Sequence, residues 1–245
     1  MKAVILAAGY ATRLYPLTLD RPKPLLEVGG RPMVEHVLDA IAPIEGIDRV
    51  VVVTNAKFAP QFDEWAEGYG GREVTVLDDG TADEETKHGA IGDLDLAIRE
   101  LGIDDDLLVI AGDNLFSESL GDFGRECRAR NAPVLALYDV GDLAEMHKYN
   151  AIETDDEGRI VFFEEKPADP STTLTGIALY FYPRAVVPEI RRYLDEGNNP
   201  DQPGRLVQWL YPQLPFYTWR VPGIWFDIGS RETLAEADEA FSAHM

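Results

Sequence analysis

Lys2-Ala3-Val4-Ile5-Leu6-Ala7-Ala8-Gly9-Tyr10-Ala11-Thr12-Arg13-Leu14 is the stretch on which the reading of this chain turns. Val4 to Ala8 is a short apolar run that predicts a buried strand. The polar, proline-containing segment from Gly9 to Pro24 predicts a loop at its carboxyl end. Ala7, Ala8 and Gly9 carry little or no side chain, so backbone N–H groups there can approach a phosphate closely, and Thr12 adds a hydroxyl. An ordinary turn uses the same residues. The dinucleotide fingerprint needs glycines where Ala11 and Leu14 stand, and no Gly-Lys-Ser/Thr closes the loop. An NAD-dependent oxidoreductase and a Walker-type phosphate loop are both disfavoured.

Charge sharpens the reading. Across 245 residues, 22 Lys and Arg face 44 Asp and Glu, a formal net charge of −22. Such a field repels nucleic acid and anionic lipid, so neither is an expected partner. Yet from Tyr10 to Leu26 the basic residues Arg13, Arg21 and Lys23 meet only one acid, Asp20. From Asp78 to Asp106 eleven acids meet only Lys87 and Arg99. A positive loop at a strand's carboxyl end is where a polyphosphate would be held; the alternative is a loop that offsets the acidic field locally. Pro16, Pro22 and Pro24 stiffen the segment and would fix its cations with little entropy loss on binding. An acid-rich, lysine-poor surface also suits high salt, where screening blunts self-repulsion.

Outward from the loop, the proportions are those of a globular chain with a sizeable core. The single cysteine, Cys127, excludes an internal disulfide and a cysteine-built zinc site, and a reducing, cytoplasmic location fits. Ala3 to Ala8 is too short for a signal-peptide core or a membrane span. Helical spacing runs over Met33 to Ala42, Phe58 to Tyr69 and Ala90 to Leu101. Val50 to Thr54, Glu73 to Leu77 and Leu107 to Ala111 read as strands. The alternation predicts βαβ units around a largely parallel sheet. Val134 to Tyr138, Asn150 to Thr154, Ile160 to Glu164 and Ile177 to Phe181 are further strands, with a hairpin turn at Asp155 to Gly158. Helices are expected at Arg184 to Leu194 and Arg231 to Phe241. The whole reads as one domain, 1–245, with a nucleotide-side half (about 1–130) and a substrate-side half (about 131–245).

Several motifs together resemble the sugar-phosphate nucleotidyltransferases. The opening Lys2 to Gly9, then Thr12-Arg13-Leu14, Pro16, Thr18 and Pro22-Lys23-Pro24-Leu25, is similar to that family's amino-terminal signature. Gly112-Asp113-Asn114-Leu115-Phe116 resembles its mid-chain metal motif, especially that of glucose-1-phosphate thymidylyltransferases. Phe163-Glu164-Glu165-Lys166-Pro167, with Thr175-Gly176 and Tyr180-Phe181-Tyr182, resembles the sugar-phosphate motif. Trp225-Phe226-Asp227-Ile228-Gly229-Ser230 resembles the closing metal motif. The resemblance implies a Rossmann-like nucleotidyltransferase fold with a central mixed, mostly parallel sheet. It also implies an Mg2+-dependent reaction of a nucleoside triphosphate with a sugar 1-phosphate, and a homo-oligomer of the kind relatives form. Ala11 and Asn150 stand where many relatives carry glycine. Leu77 to Asp93 contains Gly89-Ala90 but lacks the base-reading glutamine of typical thymidylyltransferases. No left-handed β-helix follows Phe241, so a second, acyltransferase activity is not expected.

Carried onto this chain, the resemblance gives Arg13, Lys23, Asp113 and Lys166 catalytic roles. Leu6, Ala7, Ala8, Gly9, Thr12 and Gly89 join Arg13, Lys23 and Asp113 on the nucleotide side. Tyr149, Asn150, Glu165, Lys166 and Thr175 form the sugar-phosphate side, and Asp113 and Asp227 are the metal ligands. Each has a plainer reading: an aspartate at a strand end is commonly a cap, and Glu164-Glu165-Lys166-Pro167 a charged turn. Two aspartates suit magnesium, which takes one or two carboxylates plus water and phosphate oxygens. His36, His88, His147 and His244 lack metal-ligand spacing, and Asp104-Asp105-Asp106 reads as a solvated turn, with a cation site as the alternative. Two other readings stand beside the first. One is a phosphocholine-type cytidylyltransferase, with Trp209, Tyr211, Phe216, Tyr217 and Trp219 as its cage for a quaternary ammonium. The other is a silent sugar-nucleotide sensor, which would not need both carboxylates.

Overall fold

The computed structural model describes residues 1–243. The opening strand forms as β1 (Lys2–Leu6), followed by the loop and its two 3-10 turns, Thr12–Leu14 and Lys23–Leu25. A small hairpin, β2 (Glu27–Val28) and β3 (Arg31–Pro32), leads into α1 (Met33–Ile41). The alternating pattern continues through β4 (Arg49–Thr54), α2 (Ala59–Gly68), β5 (Val74–Asp78), α3 (Ala90–Glu100) and β6 (Leu107–Ala111). After β6 come β7 (Asn114–Phe116), α4 (Gly121–Arg130), β8 (Val134–Asp139), β9 (Asn150–Thr154), β10 (Ile160–Glu165) and β11 (Leu174–Tyr182). The described chain closes with α5 (Pro188–Asp195), α6 (Pro203–Leu210), β12 (Tyr217–Arg220), β13 (Trp225–Asp227) and α7 (Arg231–Ser242).

Seven strands form one sheet in the order β12-β8-β11-β6-β1-β4-β5. Neighbours run parallel except at β11, which is antiparallel to both β6 and β8. This is the expected α/β architecture, a mostly parallel mixed sheet flanked by helices. Parallel strands need cover on both faces, and β4 is written for that: Val50, Val51, Val52 and Val53 are all fully buried. Alternate residues feed opposite layers. Ala3, Ile5, Val50 and Val52 pack with Val37, Ile41 and Phe62; Val4, Val51 and Val53 pack with Ile91, Leu94 and Leu206. Each such side chain contributes roughly 1.5–3 kcal/mol of hydrophobic stabilisation. Since β1, β4, β5 and β6 are parallel, their carboxyl ends open on one edge of the sheet, the edge where ligands of such sheets bind. β11 runs the other way and delivers its first residues, Leu174 to Ala178, to the same edge.

Some expectations need correction. The helix expected from Arg184 begins at Pro188: residues 184–187 form a turn in which Pro183 O accepts from Val186 N at 2.7 Å, and proline suits the first helical turn. α6 and β12 were not expected at all. The triple aspartate lies, as expected, in a solvent-facing loop just before β6, and each of its carboxylates has a partner within the protein. Asp104 pairs with Arg184, Asp105 lies 2.8 Å from the N-terminal ammonium, and Asp106 accepts from Arg184 N at 2.8 Å. The expected turn at residues 155–158 does form, with Asp155 Oδ1 accepting from Glu157 N and Arg159 N.

Candidate active site

Backbone pairing at the sheet edge assembles the charged residues. Gly112 N donates to Leu6 O at 2.9 Å, extending the β1–β6 ladder by one residue. A Cβ at position 112 would stand 3.0 Å from Pro24 Cγ and 3.2 Å from Ile5 Cγ2, so glycine lets the Lys23-Pro24 turn pack directly on the strand. That packing buries Lys23, which is 8% exposed, and sets its Nζ 2.5 Å from Asp113 Oδ2. The short antiparallel ladder between β7 and β13 then pairs Asn114 with Asp227, which brings the second aspartate beside the first. Burial and the facing Asp113 carboxylate push the Asp227 carboxyl up; Lys23 and Arg13 pull it back. Among the described residues no donor bonds the Asp227 carboxylate.

Arg13 completes the group. Its Nη1 would be 3.7 Å from a Cβ at Gly229, so the guanidinium lies over the turn that follows β13. It makes no ion pair among the described residues. Two features hold that turn: Ser230 and Thr233 form a reciprocal capping box at the start of α7, and Ile228 and Ala237 pack on Leu14 and Leu26. Hydrophobic contact thus fixes the cationic loop to the last helix.

Around this group lie two hollows. One, of about 180 Å³, is lined by Leu6, Ala7, Gly9, Ala11, Arg13, Lys23, Pro24 and Asp113. The other, of about 230 Å³, is walled by Tyr149, Asn150, Glu165, Gly176, Trp225 and Asp227 among others, and it too contains Asp113. The two therefore meet at Asp113. Ala11 adopts φ 48 and ψ 44, the left-handed region that favours glycine, so an alanine makes a glycine-type turn here at a cost of about 1–2 kcal/mol.

The profile of nucleotidyl transferases matches residues 2–243. The chain belongs to the nucleotidyl transferase family. It is 33% identical over 186 residues to the UTP–glucose-1-phosphate uridylyltransferase AglF of Haloferax volcanii, covering 76% of this chain and 73% of that protein. It is 34% identical over 192 residues to the mannose-1-phosphate guanylyltransferase of Mycobacterium tuberculosis, covering 77% of this chain and 50% of that protein. The chain thus spans between half and three quarters of the length of these two relatives. In fold it matches the crystal structure of a UDP-glucose pyrophosphorylase complexed with UDP-glucose, at a TM-score of 0.84 and 20% identity over all of this chain and 99% of the other.

Not every residue singled out from this nucleotidyltransferase's sequence lies on a wall. The Ala8 carbonyl accepts from Asn55 Nδ2 at 2.8 Å, and Thr12 is exposed on its 3-10 turn; neither lines the first hollow. Gly89 is buried at the start of α3 against Pro200 and lies outside both hollows. Thr175 is fully buried, its hydroxyl 3.2 Å from Asn150 Oδ1, and its neighbour Gly176 faces the second hollow instead. The Asn150 amide is consumed by that neighbour: Oδ1 accepts from Gly176 N at 2.7 Å and Nδ2 donates to Gly176 O at 2.9 Å. Lys166 has φ 49 and donates its N–H to Tyr149 O at 2.9 Å; its side chain is exposed, off the wall, and in no ion pair among the described residues. Its charge still reaches Glu165.

Sequence reading also passed over residues that this nucleotidyltransferase places on the second wall. Lys148 is one, although Glu145 pairs with it. Trp225, read from the sequence only as part of the closing motif, is another: its ring meets Tyr149 edge-on at 6.0 Å, and its buried Nε1 has no partner. Gly204, from α6, is a third, and a methyl there would overlap Glu165 Oε2. We expect Gly204→Ala to displace the Glu165 carboxylate. Steady-state kinetics should show a higher KM for the substrate that the second hollow holds, with a smaller change in kcat, and melting should fall by several degrees, in line with the roughly 1–3 kcal/mol of overpacking.

Proposed function

We propose that this protein condenses a nucleoside triphosphate with a sugar 1-phosphate, giving a nucleoside-diphosphate sugar and pyrophosphate. What supports this most directly is the position of Asp113, shared by both hollows, with Lys23, Arg13 and Asp227 gathered on it. The loop-side hollow receives the triphosphate and the Glu165-side hollow the sugar phosphate. A phosphate oxygen of the sugar 1-phosphate attacks the α-phosphorus, the bond from that phosphorus to the β-phosphate oxygen breaks, and pyrophosphate leaves. The attacking oxygen is already ionised near neutral pH, so no side chain need act as base.

Positioning and charge compensation remain for the protein. Arg13 offers two N–H groups to the β- and γ-phosphates, a fork that lysine cannot reproduce. Lys23 acts as a point charge for the α- and β-phosphate oxygens, and Lys166 draws in the sugar phosphate. Asp113 and Asp227 fit a hard divalent cation: two carboxylates face each other, one of them without a hydrogen-bond donor. Bound there, Mg2+ would supply further compensation of phosphate charge.

Glu165 is assigned to the sugar hydroxyls. Its Oε2 is buried without a partner, and burial raises its carboxyl while Lys166 and Arg205 oppose the rise. A raised carboxyl costs the fold stability once the unfolded chain ionises, so this cost grows as pH rises through the ordinary carboxylate range. Glu165→Gln should therefore melt higher than the parent at pH 7.5, with the gap narrowing as pH falls through 5. The same variant should lose about ten- to a hundredfold in kcat/KM for the sugar phosphate, since hydrogen bonds to a charged acceptor are worth about 1.5–3 kcal/mol.

We take a uridine or thymidine triphosphate with glucose 1-phosphate as the first pair, and GTP with mannose 1-phosphate as the second, following the guanylyltransferase relative. A pyrophosphate-release panel of triphosphates against sugar 1-phosphates and phosphocholine decides among them. Silence in every pairing, with nucleotide still bound, would overturn catalysis in favour of a sensor. The choline cage does not form. Phe216 is buried against Tyr182, Trp219 against Phe123, Trp209 lies beside Tyr193 under Arg192, and Tyr217 lies under Arg130. Four of the five aromatics close in sequence thus go to separate neighbours.

A further inference from the structure

From the end of β5 into the first turn of α3, a second group of ligand-type side chains converges. One oxygen each from Asp79 and Asp93 and one nitrogen of His88 all lie within 4.8 Å of one another. His88 Nδ1 is 3.9 Å from Asp93 Oδ1. The two aspartates are each only 6% exposed. Asp79 Oδ1 accepts from Thr81 N and Thr81 Oγ1, both at 2.7 Å, but Asp79 Oδ2 and Asp93 Oδ1 have no hydrogen-bond partner. Buried carboxylate oxygens are nearly always satisfied, so two orphans side by side call for an occupant.

Among the described residues no side-chain cation fills the role. Lys87 is engaged by Glu84 at 2.8 Å and by Asp201 at 3.3 Å. Asp201 adds repulsion to Asp93. Among the described residues His88 is the one nitrogen ligand in the group, and its scattered position in the sequence concealed that. Burial, with Asp79 facing it, pushes the Asp93 carboxyl upward.

We propose that Asp79, His88 and Asp93 form a binding site for a first-row divalent transition metal, separate from the carboxylates of the active site. One imidazole with two carboxylates is a donor set suited to Zn2+, Co2+ or Mn2+, whereas Mg2+ takes oxygen ligands. The 3.9 Å between His88 Nδ1 and Asp93 Oδ1 lies within the span of two metal–ligand bonds of about 2.1 Å each. The metal ties the end of β5 to the start of α3. It also steadies the phosphate loop, because Tyr10 Oη of that loop donates to Thr81 O at 3.3 Å. The site lies in the segment, Leu77 to Asp93, that the family resemblance assigns to the base, but the metal-binding test does not depend on the reaction proposed above.

The test uses the full-length protein, stripped with a chelator and then held in excess Mg2+. Calorimetric titration with Zn2+ should give one ion per chain in the parent, with a Kd in the micromolar range or tighter. His88→Ala and Asp93→Asn should each weaken it by at least about tenfold, while Asp227→Asn leaves it unchanged. Zn2+ should also raise the melting temperature of the parent but not of His88→Ala. The His88 side chain is 43% exposed, so its removal leaves the fold intact, which the melting temperature without Zn2+ checks. No Zn2+ taken up beyond Mg2+, or equal affinity in the parent and both variants, would overturn the site; the first result would mean that the two aspartates share a proton.

Discussion

Asp227→Asn is expected to abolish turnover and to melt higher than the parent protein. The two effects share one cause. Asp227 is held on β13 opposite the Asp113 carboxylate, largely buried and with no donor bonded to it, so its charge is repelled and poorly solvated. An amide of the same shape removes that repulsion. A gain of about 1 kcal/mol would show as about 2–4 °C in a domain of this size. The same change deletes one of the two hard anionic ligands that the proposed reaction needs, and losing an organised electrostatic group of this kind costs about 10²–10³ in kcat. Asp113→Asn should be equally inactive yet melt lower, because it strands the Lys23 ammonium, 8% exposed, whose 2.5 Å partner it was. Breaking such a pair destabilises; the partial exposure of Asp113 reduces the loss to about 1–2 kcal/mol. Calorimetry on both variants, beside a pyrophosphate assay, reads all four outcomes. Near-parental turnover in either would remove the metal assignment.

Lys23→Ala carries the second large effect. The ammonium neutralises Asp113 in the free protein and is assigned to phosphate oxygens in the complex, so its loss should lower kcat by about 10³. It also leaves Asp113 and Asp227 facing each other with only Arg13 nearby. The variant should therefore melt lower, and Mg2+ should raise its melting temperature by more than it raises that of the parent, since the cation replaces the missing charge. Equal Mg2+ shifts in the two proteins would show that the carboxylates do not hold the ion.

Much of this was legible in the sequence, for identifiable reasons. Continuous apolar runs such as Val50 to Val53 can satisfy only a strand covered on both faces, and the cations at Arg13 and Lys23 stand out because the rest of the chain is so acidic. The β7–β13 ladder was not legible. Three residues per strand are too few for a period, and their pairing joins distant parts of the chain. α6 begins Pro203-Gly204, a dipeptide that marks a turn, and only its burial beside Glu165 reveals why glycine stands there. On β11 the motif Thr175-Gly176 was read one residue off. Adjacent strand residues face opposite ways, and a register shift between Gly176 and Tyr180 hides which parity meets the hollow. Asp79, His88 and Asp93 belong to a loop and a helix start, where no regular spacing announces a cluster.

The apolar seam that joins Leu14 and Leu26 to Ile228 and Ala237 has a consequence for how the molecule comes into being. Along the chain, the loop that bears Arg13 and Lys23 is made long before the strand and helix that brace it, β13 and α7. Until those are made, the nascent protein carries the two cations without their clamp and without the second carboxylate. The loop gains its apolar brace only when α7 docks on it.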